Sequence, residues 1–306
     1  MELAIPTTDT GERADDVVRR RLRDPLGLAL LAPSLVFLAV FTYWPTLQVL
    51  WQSFGVGTRG APAAFGTRNY QLIVADPAFR RALWNNLQYA VGTIVPSLVL
   101  ALGLALVLNR STRISTVLRS IFFLPVLIPL VAAASVFLFV FLPGVGLLDY
   151  YLAKLGIQGA NWLGDPDVAL YSITALTVWK NAGYYMLFFL AGLQAVPEDV
   201  MEAAHLDGAG PYQRFRHIIL PELRPTFLFV TVIASLQAVT QVDHVFVMTK
   251  GGPSNATNLV LFYIYEQAVE HYDVGKASAA TLLSLAVLMG LTAVSFRSLA
   301  SREGGP

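Results

Sequence analysis

Polar side chains interrupt two long apolar runs of the sequence, and they are Lys180, Asn181, Tyr184, Gln237, Gln241 and Asp243. Each such group is costly at the middle of a bilayer, so it is expected to face a bundle interior or a wet cavity. Gln237 and Gln241 are four residues apart and would share one face of a helix. The pattern predicts a polar path suited to a hydroxylated solute. The alternative is structural, either a buried ion pair of Lys180 with Asp243 or a contact with a partner subunit.

Other patterns that would indicate chemistry are absent from the sequence. It has 4 histidines and no cysteines. The histidines have no partner four residues away and H-E-x-x-H does not occur, which argues against a metal site. No G-x-x-x-x-G-K-[ST] loop is present to hold nucleotide phosphates, and no G-x-S-x-G elbow supports a hydrolase. We therefore expect no metal, no cofactor and no enzymatic activity on this chain. The net charge of +1 gives no sign of a nucleic-acid partner.

The composition is that of a protein embedded in a lipid bilayer. Of the 306 residues, 55% are hydrophobic and only 13% are charged, about half the usual charged share of about 25%. A transmembrane helix needs about 20 apolar residues. Six runs meet this requirement, at residues 26–51, 84–108, 121–142, 168–193, 226–248 and 277–297. Because every backbone amide in lipid must be paired within the protein, the sequence predicts an all-α, six-helix membrane protein. The prolines within these runs are expected as tolerated kinks rather than gates, and they are Pro33, Pro45, Pro96, Pro125 and Pro129.

Basic residues favour the connections on one side of the membrane. If the amino terminus is cytoplasmic, the inside connections carry more Lys and Arg than the outside ones, as the positive-inside rule requires. We therefore expect both termini in the cytoplasm, with residues 1–25 and 298–306 as tails and residues 26–297 as the membrane domain. The basic cluster at residues 19–23 also suits a signal peptide. However, the first apolar run is long and has no A-x-A-like site, which favours an uncleaved span.

A polar interruption at residues 195–225 forms the longest interior cytoplasmic connection. Pro197 suits the first position of a helix, and the acidic residues after it suit the opening turns of a helical run at residues 198–206. Gly208, Gly210 and Pro211 then predict a turn before a second short helix at residues 211–219. The small residues of the first helix would allow a partner surface to approach closely. Sealing of the bundle edge by an interfacial helix is the alternative.

Several residues of this interruption resemble the EAA motif of ATP-binding cassette (ABC) importer permeases, and they are Glu202, Ala203, Ala204, Gly208, Ile218, Leu220 and Pro221. Asp207 and Ala209 extend the match. In that family the loop is the coupling helix, which fits a cleft on a cytoplasmic ATPase subunit. The resemblance implies a type I ABC importer permease fold in a bacterial inner membrane. It also implies a second permease, two ATPase subunits that hold ATP and Mg, and an extracytoplasmic solute-binding protein.

Further matches are similar to the carbohydrate-type permeases related to the maltose system, and they are Phe65-Gly66, Asn69-Tyr70, Asp76-Pro77, Phe79, and Thr249 with Gly251-Gly252-Pro253. The large outer insertion of the maltose permease is absent, and Asn86 stands where many relatives carry Thr. The chain resembles most the glycerol-3-phosphate or glycerophosphodiester branch. Disaccharide importers of the trehalose or maltose kind are the rivals. A secondary transporter is the other class; it would need inverted repeats and broken helices around an ion site, and the sequence shows no clear sign of either.

The outer segment that begins at Gly251, Gly252 and Pro253 has two interpretations. Its backbone-bending residues suit a structural turn. The resemblance also makes these three residues candidates for contact with the solute-binding protein. If the solute carries phosphate, Lys180 is the cation that the sequence places within the membrane to meet it.

Overall fold

The computed structural model describes residues 25–56 and 64–300, which are mostly helical. The helices are α1 Pro25–Leu38, α2 Trp44–Phe54, α3 Arg68–Ala75, α4 Pro77–Leu108, α5 Arg113–Leu127, α6 Leu130–Val140, α7 Leu147–Lys154, α8 Ala169–Gln194, α9 Glu198–Leu206, α10 Pro211–Arg214, α11 Leu220–Glu222, α12 Arg224–Thr240, α13 Asp243–Met248, α14 Val260–Tyr265 and α15 Val274–Ala300. Strands β1 Gly55–Val56 and β2 Ala64–Phe65 pair antiparallel. The predicted all-α class is confirmed. Of the two predicted tails, residues 1–24 and 301–306 lie outside the described residues.

Three helices of the described chain are long and apolar enough to cross a membrane, and they are Ala29–Phe54, Pro77–Leu108 and Arg224–Met248. Helix α8 has 26 residues, but its polar side chains keep it outside this group. Val274–Gly290 of α15 forms a shorter apolar helix. The predicted count of six spans therefore stays a prediction.

The predicted third span, residues 121–142, is wrong as a single helix. Helices α5 and α6 meet at an angle of 99°. If they form one broken span, the described chain has up to four spans. The break lies at Ile128 and Pro129. Ile128 is extended, with φ −78° and ψ 126°, because the ring of a following proline disfavours helical backbone. Pro129 also has no N–H to continue the helix.

Two other prolines follow π-helical segments without stopping the chain. Segment Ala39–Tyr43 precedes Pro45, and segment Phe215–Ile219 precedes Pro221. In an α-helix each proline leaves the carbonyl four residues earlier without its donor, and both of these carbonyls lie within the wider π turns. A third π segment, Glu266–Glu270, has no following proline. The prolines of the predicted spans were expected as tolerated kinks. Pro33, Pro45, Pro96 and Pro125 all lie within helix. The expectation is wrong for Pro129, where the helix is interrupted.

Helix α8 is the most enclosed part of the bundle, with α4, α5 and α12 packed along it. Its contact with α5 depends on Gly183, where an added Cβ would lie 1.8 Å from the backbone oxygen of Phe122. Two apolar clusters lie along α8. One contains Ile173 and Leu176, and the other contains Met186 and Phe189 towards residues 195–225. Between the two clusters the side chains of the interior are polar.

Candidate functional site

A small polar pocket lies between α4, α8 and α12. Its polar residues are Thr93, Ser97, Thr177, Asn181, Tyr185 and Gln237. The Tyr185 hydroxyl donates to Oε1 of Gln237 at 2.7 Å. The cavity measures about 10 Å³, which is close to the least that holds one water molecule. The pocket is therefore closed in this conformation, because its own side chains fill it.

Two of the predicted path residues, Asn181 and Gln237, meet in this pocket, whereas Thr93, Ser97 and Thr177 were missed. A spacing of four residues was the signal that would have found them. Tyr89, Thr93 and Ser97 repeat at this spacing on α4, and Thr177, Asn181 and Tyr185 repeat at it on α8. Residues four apart share a helix face. The hydroxyls of Tyr89 and Thr177 lie 2.8 Å apart and join the two rows.

Lys180 points away from the pocket. Its Nζ donates to the backbone oxygens of Pro125 at 3.0 Å and Val126 at 3.2 Å, and also to that of Ile128. The predicted ion pair with Asp243 is wrong, because Lys180 binds the carbonyls of the α5–α6 break and Asp243 lies exposed at the start of α13. Lys180 and Asn181 are consecutive and so lie about 100° apart around the helix. The expected contact between Lys180 and a solute phosphate is thus not supported, because the ammonium group already donates to these backbone carbonyls.

The other predicted path residues lie at the edge of this region. Tyr184 is half-buried and its ring packs against those of Tyr185 and Phe188. Gln241 lies where α12 gives way to α13, and its N–H donates to the carbonyl of Gln237 at 2.9 Å. Neither Tyr184 nor Gln241 lines the polar pocket.

His244 is fully buried and was not predicted as a site residue. Its ring stacks on that of Tyr89, with centroids 5.3 Å apart and an angle of 22° between the planes. Within the described chain, neither ring nitrogen has a hydrogen-bond partner.

Residues 195–225 form a surface hairpin of helices α9, α10 and α11. The predicted first helix, residues 198–206, is confirmed by α9 Glu198–Leu206. Its end is a Schellman motif, in which the N–H of Ala209 donates to the carbonyl of Ala204 and the N–H of Gly208 to that of His205. Gly208 has φ +80°, which favours glycine. The glycine of the EAA motif is thus the residue that ends the helix and turns the chain.

The second arm of the hairpin is longer than predicted. Residues 211–219 were expected as one short helix, but helical structure continues through Leu220 and Pro221 to Glu222. It continues because the wider π turn at Phe215–Ile219 accommodates Pro221, and Leu220 and Pro221 are half-buried there. Pro197 precedes α9 as its N-cap residue, one position before the predicted place.

The outward face of the hairpin combines acidic and apolar groups. None of the residues of α9 is buried, and Leu206 and Tyr212 are 87% and 73% exposed. The motif residues Glu202, Ala203, Asp207 and Gly208 are exposed, while Ala204 and Ala209 are half-buried. A shallow depression of about 500 Å³ is lined by Glu198, Met201, Glu202, His205, Leu206 and Arg214. This surface presents charge and apolar area together, as a protein interface does.

The segment after α13, which was predicted as an outer connection, is tightly bound to the bundle. Gly251 is buried with φ +77°, and an added Cβ would lie 2.8 Å from the ring of Phe262. Nδ2 of Asn85 on α4 donates to the backbone oxygens of Asn255 at 2.7 Å and Asn258 at 3.0 Å. These contacts favour the structural interpretation for Gly251. Gly252 and Pro253 are half-buried, and Ser254 beside them is exposed.

A polar network joins the start of α4 to α14 and α15. Asp76 accepts hydrogen bonds from the hydroxyl of Tyr263, the Nζ of Lys276 and the N–H of Ala78. Burial raises the pKa of Asp76, but these three donors outweigh it and hold the pKa below its ordinary value of 3.8. Asn69 donates to the backbone oxygens of Ser53 and Gly55. The carbohydrate-type matches Asn69 and Asp76 therefore connect the ends of neighbouring helices.

Comparisons with known proteins agree with these features. The family described as binding-protein-dependent transport system inner membrane component matches residues 97–302. The sulfoquinovosyl glycerol transport system permease protein SmoG of Agrobacterium fabrum is 32% identical, over 91% of each chain. The sn-glycerol-3-phosphate transport system permease protein UgpA of the same organism is 31% identical, over 89% of this chain and 94% of that one. The trehalose/maltose transport system permease protein MalF of Thermococcus litoralis is 31% identical, over 88% and 92%.

Solved structures share the fold. A bacterial ABC transporter involved in the import of the acidic polysaccharide alginate has a TM-score of 0.82 at 21% identity, over 95% of this chain and 100% of that chain. An alginate ABC transporter in complex with an alginate pentasaccharide-bound periplasmic protein has a TM-score of 0.79 at 20% identity, over 90% and 94%. The predicted permease fold is confirmed. The chain belongs to the family of inner membrane components of binding-protein-dependent transport systems.

Proposed function

We propose that this chain is one permease subunit of an ATP-driven importer and that it forms half of the translocation path. The observation that carries the proposal is the exposed surface hairpin, which holds the complete EAA motif and is closed by Gly208. A second permease of similar fold completes the path, and an extracytoplasmic binding protein delivers the solute. In this arrangement both termini and the surface hairpin lie in the cytoplasm, and residues 26–297 form six spans.

The energy comes from two separate ATPase subunits. The sequence has no phosphate-cradling loop, so ATP and Mg belong to those subunits. The hairpin offers them Leu206 and Tyr212 as apolar contacts beside the acidic Glu202. Exposed apolar groups rimmed by charge mark protein contact surfaces.

The solute class is a sugar or a polyol phosphate, with glycerol-3-phosphate or a glycerophosphodiester favoured. Hydroxyl and amide groups dominate the polar pocket, and such groups exchange hydrogen bonds with a hydroxylated solute. The names of the relatives SmoG and UgpA both include a glycerol compound. A trehalose- or maltose-type solute is the second candidate, because the relative MalF is similar to the same extent. With Lys180 occupied, recognition of a phosphate falls to other groups of the assembly.

Co-purification and reconstitution test this function. The chain is purified with the partners that remain bound, and the complex is placed in liposomes with its solute-binding protein. We expect solute uptake that requires ATP and a bound ATP-hydrolysing chain, and candidate solutes are ranked by their affinity for the binding protein. Uptake by the permease pair without an ATPase subunit, driven by an ion gradient, would contradict the proposal.

A further inference from the structure

The α5–α6 break leaves backbone carbonyls that need donors. The last four carbonyls of a helix have no partner within it, and they carry the negative end of the helix dipole. Pro129 has no N–H to offer to the carbonyl of Pro125, which accepts the N–H of Ile128 at 3.3 Å and keeps a second lone pair for another donor. Carbonyls at such breaks attract cations, and transporters that use broken helices bind coupling ions in this way.

In this chain the cation at the break is Lys180. Its ammonium has three protons, which match the three carbonyl acceptors of Pro125, Val126 and Ile128. Lys180 is only 8% exposed. The charge is therefore held inside the bundle by the break itself.

The packing of the surrounding helices places Lys180 beside the break. Gly183 lies three residues further along α8, on the same side of the helix, and brings the α8 backbone against the carbonyl of Phe122 on α5. Beyond the break, α6 packs against α13, which carries His244. Lys180 thus connects α8 to the break between α5 and α6.

We propose that Lys180 is a tethered cation, which occupies the position that a broken helix offers to a mobile ion and fixes the α5–α6 bend. The permease would then keep this bend without any coupling ion. Lys180 is a positioning residue, because its ammonium contacts the carbonyls of the α5–α6 break and not the polar pocket.

Chemical rescue tests this proposal. Lys180→Ala removes Cγ, Cδ, Cε and Nζ, which n-propylammonium can replace. We expect the thermal transition of the purified Lys180→Ala complex to fall, and n-propylammonium to restore it in a saturable manner. The neutral n-propanol should not restore it. The wild-type complex and the variant Lys154→Ala, which changes an exposed lysine of α7, should not respond to the amine.

Two further variants keep the test decisive. Lys180→Met fills the volume without a charge, and we expect it to be unstable and not rescued. If Lys180→Ala yields too little complex, the yields of Lys180→Arg and Lys180→Met are compared, and we expect Arg to exceed Met by about fivefold or more because charged hydrogen bonds are strong. A Met variant as stable as wild type, equal yields of Arg and Met, or equal rescue by n-propanol would overturn the proposal.

Uptake provides a second measurement, which rests on the proposed function. In liposomes we expect Lys180→Ala to lose uptake by about tenfold or more and to regain it with n-propylammonium. Unrescued uptake in a complex whose thermal transition is restored would overturn the positioning role. If the wild-type complex itself shows no ATP-driven uptake, the proposed function fails, while the thermal measurement still decides the role of Lys180.

Discussion

The surface hairpin and the centre of the helix bundle use polar residues in opposite ways. On the hairpin, Glu202 and Asp207 face outward. In the bundle centre, Tyr185 is bonded to Gln237, and Lys180 to the carbonyls of the α5–α6 break. A polar group left unpaired in an apolar interior costs far more than one in water. Changes on the hairpin should therefore weaken contacts with a partner, whereas changes in the centre should weaken the bundle itself.

One glycine in each region shows the same contrast. Gly183 is required for space, because an added Cβ would lie 1.8 Å from the Phe122 oxygen. Gly208 is required for its backbone, since φ is +80° and no atom lies within 4 Å of the added Cβ. The first constraint comes from packing between distant segments, and the second from a local turn.

The largest effect is expected for Gly183→Ala. The added methyl forces α8 and α5 apart, which costs about 3 kcal/mol or more. We expect loss of assembled complex, measured as the yield from size-exclusion chromatography. The matched control is Gly103→Ala on α4, where an added Cβ meets no atom within 4 Å. Normal assembly of Gly183→Ala would contradict the packing argument.

A smaller effect is expected for Gly208→Ala. An alanine in left-handed backbone costs about 1–2 kcal/mol, a factor of about 5 to 30 in the population of the native turn. We expect ATP-driven uptake to fall within this range while the thermal transition of the membrane domain stays unchanged. Gly210→Ala is the control, because Gly210 has φ −68°. Equal effects of the two substitutions would show that the turn conformation is not what matters.

The polar pocket should respond to Gln237→Ala by reduced uptake. The substitution leaves the Tyr185 hydroxyl without its acceptor, which costs about 1–3 kcal/mol. Gln241→Ala should have the weaker effect, because Gln241 lies outside the pocket. Uptake, assembly and basal ATPase activity are measured for both variants. Lost assembly with Gln237→Ala would favour a purely structural role for the pocket.

The polar network around Asp76 should give the smallest effect, and one that depends on pH. Because the folded-state pKa of Asp76 is below 3.8, its contribution to stability is complete above that value and is lost as pH falls through the folded-state pKa. We expect the thermal transitions of wild type and Asp76→Asn to differ at neutral pH and to converge below about pH 3.8. A difference that stays constant with pH would exclude this ionic contribution.

Local features of the sequence predicted the structure better than distant contacts did. Helix α9 and the turn at Gly208 follow from capping and glycine preferences within a few residues, and both were predicted. The α5–α6 break was expected only as a tolerated kink at Pro129, because apolar composition continues through Ile128 and Pro129 and hydropathy does not register the size of a bend. The partner of Lys180 was missed, since it is a set of backbone carbonyls more than fifty positions away. The hydroxyls of Thr93, Ser97 and Thr177 were left out because neutral side chains are weak signals beside a charge.

Labelling of a single cysteine on the hairpin tests the central claim most directly. The natural chain has no cysteine, so Leu206→Cys introduces one at the most exposed apolar position of the hairpin. We expect an impermeant thiol reagent to label it only from the cytoplasmic side, and a short cross-linker to join it to the ATP-hydrolysing chain. Labelling from the outside of intact cells, or the lack of any cross-link to an ATPase in a complex that imports solute, would contradict the account.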